Sequence, residues 1–413
     1  MATPGVEFVT DPATTLQLLA WILGGAALGG LSGLVPGLHA NNFALLLAGF
    51  APSIPGPPLF VGCAMLAAGV VHTFLNAVPA MALGVPDAEM AVTALPAHRM
   101  VLEGQGYEAI RLSALGSILA VLAAVPLALP ITWGVTAVYP TIRDNLALLL
   151  AMVVVALIAS ERTWRGRVGA IVSFALAAVL GLLTLDFSPD APLEAGGMLA
   201  PLFAGLFGAP VLIDAIRGSG IPPQHGDAIA MSHPLVGITA IAGALAGAVV
   251  GYIPGISAAI AAVAVLLFVP GRSGDRGYIV ATSGVDTANT IFALFALVAI
   301  GQPRTGVMVA FESVDAPLEV PILLAGVVLA GLLGFVLVIV VGDAYLEAVG
   351  RIAYWKISVT VLTLLLALSY LFTGVIGIVI FCVAAAIGMV PIRFRARRVH
   401  LMGVLIGPLL VGF

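Results

Sequence analysis

The stretch Gly25–Gly37, GAALGGLSGLVPG, recurs without gaps as Gly243–Gly255, GALAGAVVGYIPG, at an offset of 218. Gly25/Gly243, Gly29/Gly247, Gly33/Gly251, Pro36/Pro254 and Gly37/Gly255 coincide. In both copies a glycine stands at every fourth position. At ~3.6 residues per turn this lines hydrogen side chains along one helix stripe, where a neighbouring backbone can come close. Each stripe ends in Pro-Gly just before another apolar segment. That order predicts a helix that breaks within the apolar region and restarts with its first amides pointing into a cavity.

Two further pairs keep the same order. LGVPDAEMAV (Leu83–Val92) lies over IGQPRTGVMV (Ile300–Val309) at offset 217, matching Gly84 with Gly301 and Pro86 with Pro303. VGAIVSFALAAVLG, from Val168, lies over IGIVIFCVAAAIG, from Ile376. The chain therefore reads as a duplication. Residues 1–15 form an N-terminal segment, 16–216 repeat 1, 217–232 a linker and 233–413 repeat 2.

Of the 413 residues 61% are hydrophobic and 9% charged, with a mean hydropathy of +1.18. Soluble domains carry about 25% charge, so this chain cannot cover a water-facing surface of its own size. The long apolar runs lack the alternation of a membrane barrel, which leaves an all-α polytopic membrane protein. Runs bounded by Pro, Gly and charge predict about fourteen spans: 16–36, 38–50, 58–84, 112–135, 145–160, 168–185, 196–216, 233–251, 256–270, 277–300, 319–342, 357–372, 375–391 and 399–413. Segments 38–50 and 256–270 are short for an apolar core of ~30 Å, as broken or re-entrant helices after each Pro-Gly would be. Pro79 predicts a break within 58–84.

Threading the spans alternately through a bilayer brings loops 85–111, 161–167, 217–232, 271–276, 343–356 and 392–398 to one side. These hold fourteen of the sixteen basic residues, leaving Arg143 and Arg304 opposite. The positive-inside rule makes that side cytoplasmic and places both termini outside, in a multi-pass protein of the cell membrane. Residues 1–15 carry Glu7 and Asp11 and no base, which is not a signal-sequence pattern, and read as an extracellular segment. Seven spans per half is an odd number, so the halves would cross in opposite directions, an inverted repeat with two similar gates. The net charge of −4 gives no reason to expect nucleic acid.

Polar residues inside the apolar runs are where chemistry could sit. After Pro36-Gly37 come His39, Asn41 and Asn42, and after Pro254-Gly255 comes Ser257, equivalent to His39 by the repeat. Restart amides at Gly37 and Gly255 with His39, Asn41 and Ser257 suit a carboxylate. Capping of the restarted helices by Asn41 or Ser257 explains the same residues equally well. The run 58–84 holds His72, Thr73 and Asn76, also substrate-binding candidates, and its partner 277–300 holds Thr282, Ser283, Asp286, Thr287, Asn289 and Thr290. Offset 217 sets His72 over Asn289. Asp286 is the one carboxylate well inside a predicted span, where an ionised group is costly unless paired or hydrated. It is expected to bind Na⁺ or carry a proton together with Thr287, Asn289 and Thr290, with no other metal or cofactor implied. A purely structural hydrogen-bonding role for Asp286 stays open. Pro36, Pro254, Pro86 and Pro303 are the expected hinges.

SGVDTANTIFALFALVAIGQPRTG (Ser283–Gly306), with Gly284, Val285, Ala288, Asn289, Gly301 and Pro303, carries one resemblance. FLNAVPAMALGVPDAEMAVTALPAHRMVLEGQGYEAIRLSALGS (Phe74–Ser117) and the paired GLSGLVPG and GAVVGYIPG carry the rest. Together they resemble the large membrane subunit (TctA-like) of the tripartite tricarboxylate transporter family, in its shorter archaeal-type branch. The resemblance implies a permease for a carboxylate, with tricarboxylates as the family's substrate class, and as partners an extracytoplasmic binding protein and a small membrane subunit.

With the repeat, these features predict a secondary active transporter, not an enzyme, that moves an organic anion in symport with Na⁺ or H⁺ by alternating access. Its expected partners are the small organic anion and the lipid bilayer, and a homodimer is left open. Two other classes compete. A translocase of lipid or lipid-linked headgroups would place bases along its groove, whereas here they lie in loops. An intramembrane enzyme needs paired acids or a Ser-His or metal constellation; no HExxH is present, and Asp87 and Glu89 stand two apart at a loop boundary.

Overall fold

A computed structural model describes residues 11–36, 56–84, 94–187, 190–192, 198–216, 221–226, 228–253 and 274–412, with positions 38, 40, 43, 44, 47, 258, 261 and 265. Most of segments 38–50 and 256–270 therefore lies outside the described residues, as do Gly37, His39, Asn41, Pro86, Pro254, Gly255 and Ser257.

Among the described residues all regular structure is helical. Helix α1 (Pro12–Gly33) begins where Asp11 accepts hydrogen bonds from the amides of Ala13 and Thr14 (3.3 and 3.1 Å), with Pro12 at its first position. α2 (Pro58–Leu75) and α3 (Ala77–Leu83) form one apolar run interrupted at Asn76. Pro79 has no N–H for the Leu75 carbonyl, so the ladder lapses one turn before it. α4 (Ala94–Leu102) leads into the 39-residue α5 (Gly106–Asp144), followed by α6 (Leu146–Ala159) and α7 (Trp164–Thr184). α8 (Leu199–Phe203) and α9 (Ala209–Ala215) are joined by a π turn. The second half contains α10 (His233–Tyr252), α11 (Gly274–Ile300), α12 (Gly306–Ser313), α13 (Val320–Arg351) and α14 (Tyr354–Gly388). It closes with α15 (Val390–Phe394), a 3₁₀ turn Arg398–Met402 and α16 (Gly403–Val411).

Among the described residues eight helices are long and apolar enough to cross a membrane, and α6, residues 199–214 and residues 398–411 form shorter apolar helices. The chain is thus an all-α polytopic membrane protein. The segments predicted at 357–372 and 375–391 share one helical run, without a loop; the backbone breaks at Gly374, with φ +63° and ψ −157°. That conformation is essentially restricted to glycine. Two of the expected hinge prolines lie just beyond helix ends. α1 ends at Gly33, ahead of Pro36, which is buried in the following turn. α11 ends at Gly301 (φ +65°), and Pro303 lies in the loop beyond it; Gly84 (φ +66°), 217 residues earlier, ends α3 in the same left-handed conformation.

The glycine stripes are where helices touch. A Cβ on Gly25 or Gly29 would run into the carbonyls of Ala64 or Ala68, and on Gly33 would lie 2.8 Å from Leu75 Cβ. In the second half, a Cβ on Gly243 would lie 2.6 Å from Ala281 O, on Gly247 2.8 Å from Val285 O, and on Gly251 2.8 Å from Phe292 Cβ. Ala64/Ala281, Ala68/Val285 and Leu75/Phe292 are all 217 apart, so α1 on α2 and α10 on α11 use one packing geometry. The helix that follows each pair is exchanged: α5 packs on α11, and α13 packs on α2.

Two apolar cores result, each fed by both halves. The larger joins α1, α2, α3, α5, α10, α11 and α13; the smaller joins α6, α7, α8, α14 and residues 398–411. Cys63 is buried in the larger core, whereas Cys382 is exposed on α14.

Candidate binding site

The larger core carries a polar band where α1, α2, α5 and α11 meet. His72, Thr73 and Asn76 come from α2 and Thr282, Ser283, Asp286, Thr287, Asn289 and Thr290 from α11, and all nine are buried. Helical spacing of three and four residues puts Thr73 with Asn76, and Ser283 with Asp286, Thr287 and Thr290, on shared faces. Asn76 Nδ2 donates to Asp286 Oδ2 at 3.1 Å, so the deepest carboxylate of the second half is held by an amide of the first. One turn away Thr73 Oγ1 donates to the Val70 carbonyl (2.8 Å) and lies 3.1 Å from Thr287 Oγ1. A hydroxyl has one proton, so Thr287 is the donor across the pair and keeps its lone pairs for another ligand.

His72, one turn before Asn76 on α2, turns its ring toward α1. Its Nδ1 is 2.8 Å from Ser32 Oγ on α1, and its ring stacks on Phe43, centroids 6.0 Å apart and planes 13° apart. Beyond Asp286, Ser283 Oγ is 2.9 Å from Ser113 Oγ, and Ser117 Oγ donates to the Ser283 carbonyl at 3.2 Å, both from α5. Ser32, Ser113 and Ser117 were not singled out in the sequence. Ser113 and Ser117 carried a usable signal, two hydroxyls four apart at the start of the apolar run of α5; Ser32 was hidden inside a glycine stripe.

Of the predicted site residues, the structure brings Thr73, Asn76, Asp286 and Thr287 together directly and sets His72 beside them through α2. Asn289 and Thr290 lie in the same buried band of α11. Gly37, His39, Asn41, Gly255 and Ser257 lie outside the described residues. Leu38, just past the first Pro-Gly, packs with Ala200 of α8 and Phe372 of α14 in a small cluster of its own.

Ion pairs tie the basic loops together. Arg99 meets Asp275 (3.0 Å), Arg111 meets Asp343 (2.6 Å), and Glu108 takes Arg276 Nε (2.7 Å), Arg276 Nη2 (2.8 Å) and the Ala230 amide (2.7 Å). Segments 85–111, 217–232, 271–276 and 343–356 therefore meet in one network. Segments 161–167 and 392–398 meet in another, where Glu161 Oε1 accepts from the Arg397 amide, Arg397 Nε (both 3.0 Å) and His400 Nε2 (2.9 Å). Burial pushes the Glu161 carboxyl up, but these donors outweigh it and hold it below its ordinary value of 4.5. Away from these networks, Arg304 lies over the Tyr139 ring, 5.4 Å from its centroid.

A model of the Tripartite tricarboxylate transporter TctA family matches residues 19–403. An uncharacterized protein of Methanocaldococcus jannaschii is similar to the chain, 25% identical over 414 aligned positions that cover 96% of this chain and 99% of that one. No solved structure matches. With the family match running from α1 to the start of α16 and across every helix of the polar band, the chain belongs to the Tripartite tricarboxylate transporter TctA family and is a membrane component of a transporter.

Proposed function

We propose that the chain is the permease of a secondary active transporter that carries an organic anion, a carboxylate and within the family's range a tricarboxylate, together with Na⁺ or H⁺. The observation that carries this reading is the Asn76–Asp286 contact. An ionisable carboxylate is buried at the seam of two halves that share one packing geometry, which is where a coupling ion is felt by both. Asp286 and Thr287, with Asn289 and Thr290 nearby, hold the ion. His72, Thr73 and Asn76, with the Pro-Gly segments at Gly37–Asn41 and Gly255–Ser257, form the anion side. The halves form an inverted repeat, and alternating access moves one core against the other. An extracytoplasmic binding protein delivers the anion and a small membrane subunit completes the assembly.

Each ion-pair network brings together basic loops that the threading places on one side. The networks speak against a headgroup translocase, because Arg99, Arg111, Arg276 and Arg397 are engaged in contacts between loops. Thermal unfolding of the purified chain, with citrate, succinate and acetate added at two Na⁺ concentrations, tests the reading. A ligand at about a hundred times its Kd stabilises the folded form by about 2.7 kcal/mol. The expected result is a rise in Tm with at least one carboxylate, enhanced by the coupling ion; no shift with any of them contradicts it.

A further inference from the structure

The two bases that the charge pattern leaves apart from the basic loops, Arg143 and Arg304, converge at one end of the helix pair α5 and α11. Arg276 holds Glu108 near the start of α5, whereas Arg304 meets Tyr139 near its end, so the two helices run side by side in the same direction. The polar band lies between these contacts, with Asp286 ~21 Å before the end of α11 at ~1.5 Å per residue. Arg304 Nη2 donates to the Tyr139 hydroxyl, and the guanidinium lies over the ring, 5.4 Å from its centroid. Arg143 follows Tyr139 by one helical turn, on the same face of α5. We propose that Arg304 and Arg143, with Tyr139 between them, form an entry site for an anion carrying at least two carboxylates, at the end of the helix pair away from Glu108. The choice of ligand rests on the transport reading above.

Packing of an arginine on a tyrosine accounts for the ring contact but not for the charge. Arg99, Arg111, Arg276 and Arg397 each hold a carboxylate. Among the described residues neither Arg304 nor Arg143 does, although Asp144, Glu312 and Asp315 are near in the chain. Arg304 is half-buried, and its N–H groups beyond the one on Tyr139 meet no acceptor among the described residues. Tyr139, in accepting from Arg304, keeps its own O–H proton to donate. A guanidinium and a phenol beside it suit one carboxylate, since the guanidinium offers parallel N–H donors. The exposed Arg143 can then take a second carboxylate of the same anion, which acetate lacks. The duplicated turn adds a direction. The counterpart of Arg304, 217 residues earlier, is Asp87, so the two copies carry opposite charge. One copy favours an anion and the other disfavours it.

Phenylglyoxal labelling of the purified full chain, read arginine by arginine through peptide mass spectrometry, tests the site directly. Only the empty fraction reacts, so citrate at about ten times its Kd for the site should slow labelling of Arg304 and Arg143 about tenfold. Arg162, exposed on a distant loop, should label at an unchanged rate, and acetate at equal ionic strength should protect neither Arg304 nor Arg143. Arg143→Gln and Tyr139→Phe should each weaken the protection of Arg304 by citrate. Failure of Arg304 to label without citrate shows a guanidinium closed to solutes and overturns the inference. Equal protection by acetate, or full protection of Arg304 in Arg143→Gln, overturns the two-carboxylate site. If citrate raises the Tm of the wild type while Arg304 labels at its unprotected rate, the entry site is wrong and the transport reading stands. No rise in Tm with any carboxylate contradicts the transport reading itself.

Discussion

Gly24 and Gly25 are neighbours on α1 with opposite surroundings, and alanine at each should change stability in opposite directions. A Cβ on Gly25 would run into the carbonyl and Cα of Ala64, whereas a Cβ on Gly24 meets nothing within 4 Å. Carbon atoms in packed interiors rest ~3.5–4.0 Å apart, so α1 and α2 would have to separate by roughly 1 Å to admit the methyl at Gly25. Overpacking of this kind costs about 1–3 kcal/mol. At Gly24 the same methyl only restricts the unfolded chain and favours helix, a gain of about 0.5–1 kcal/mol. The pair Gly25→Ala and Gly24→Ala should therefore differ by about 1.5–4 kcal/mol, the sum of the two effects. The second half provides a matched pair, Gly243→Ala, 2.6 Å from Ala281 O, against Gly237→Ala, which meets nothing within 4 Å. Thermal unfolding in detergent, followed by tryptophan fluorescence, reads all four. If Gly25→Ala and Gly243→Ala melt no lower than their neighbours, close helix approach is not what the stripes do.

The Glu108 network gives a larger effect. Glu108 takes three hydrogen bonds, two of them from Arg276, and its side chain is 5% exposed, so Glu108→Ala leaves the guanidinium without its buried partner and should cost about 3–5 kcal/mol, measured by the same melts. Glu161 sets an acid limit. Its folded pKa is depressed, so the stability it contributes is fully present above the unfolded value of 4.5 and is lost as pH falls through the lower folded value. Wild-type Tm should fall in that acid window, and Glu161→Gln, less stable at neutral pH, should show a smaller fall; parallel pH curves would contradict the assignment.

How far these features were legible depends on whether they are properties of one helix or of a pair. The stripe Gly25–Gly29–Gly33 is written every fourth residue, and so is its copy, because close packing needs the same residue type at each turn. Asp286 was legible because a carboxylate amid apolar residues has no cheap explanation. The chain ends of the helices were less so: glycine's left-handed φ at Gly84 and Gly301 ends α3 and α11 before the prolines that drew attention. Partner choice was not legible at all. That Asn76 meets Asp286 and Glu161 meets Arg397 depends on how the two halves pack against each other, and no local pattern encodes that packing.

The central claim, that Asp286 couples ion flow to anion movement, is tested most directly by citrate uptake into proteoliposomes holding the chain with its binding protein and small subunit. The wild type should accumulate citrate when a Na⁺ or H⁺ gradient is imposed. Asp286→Asn, which keeps the size of the side chain at Asn76 but not its charge, should still exchange citrate across the membrane while losing gradient-driven accumulation. Accumulation by Asp286→Asn equal to that of the wild type under the same gradient would contradict the account.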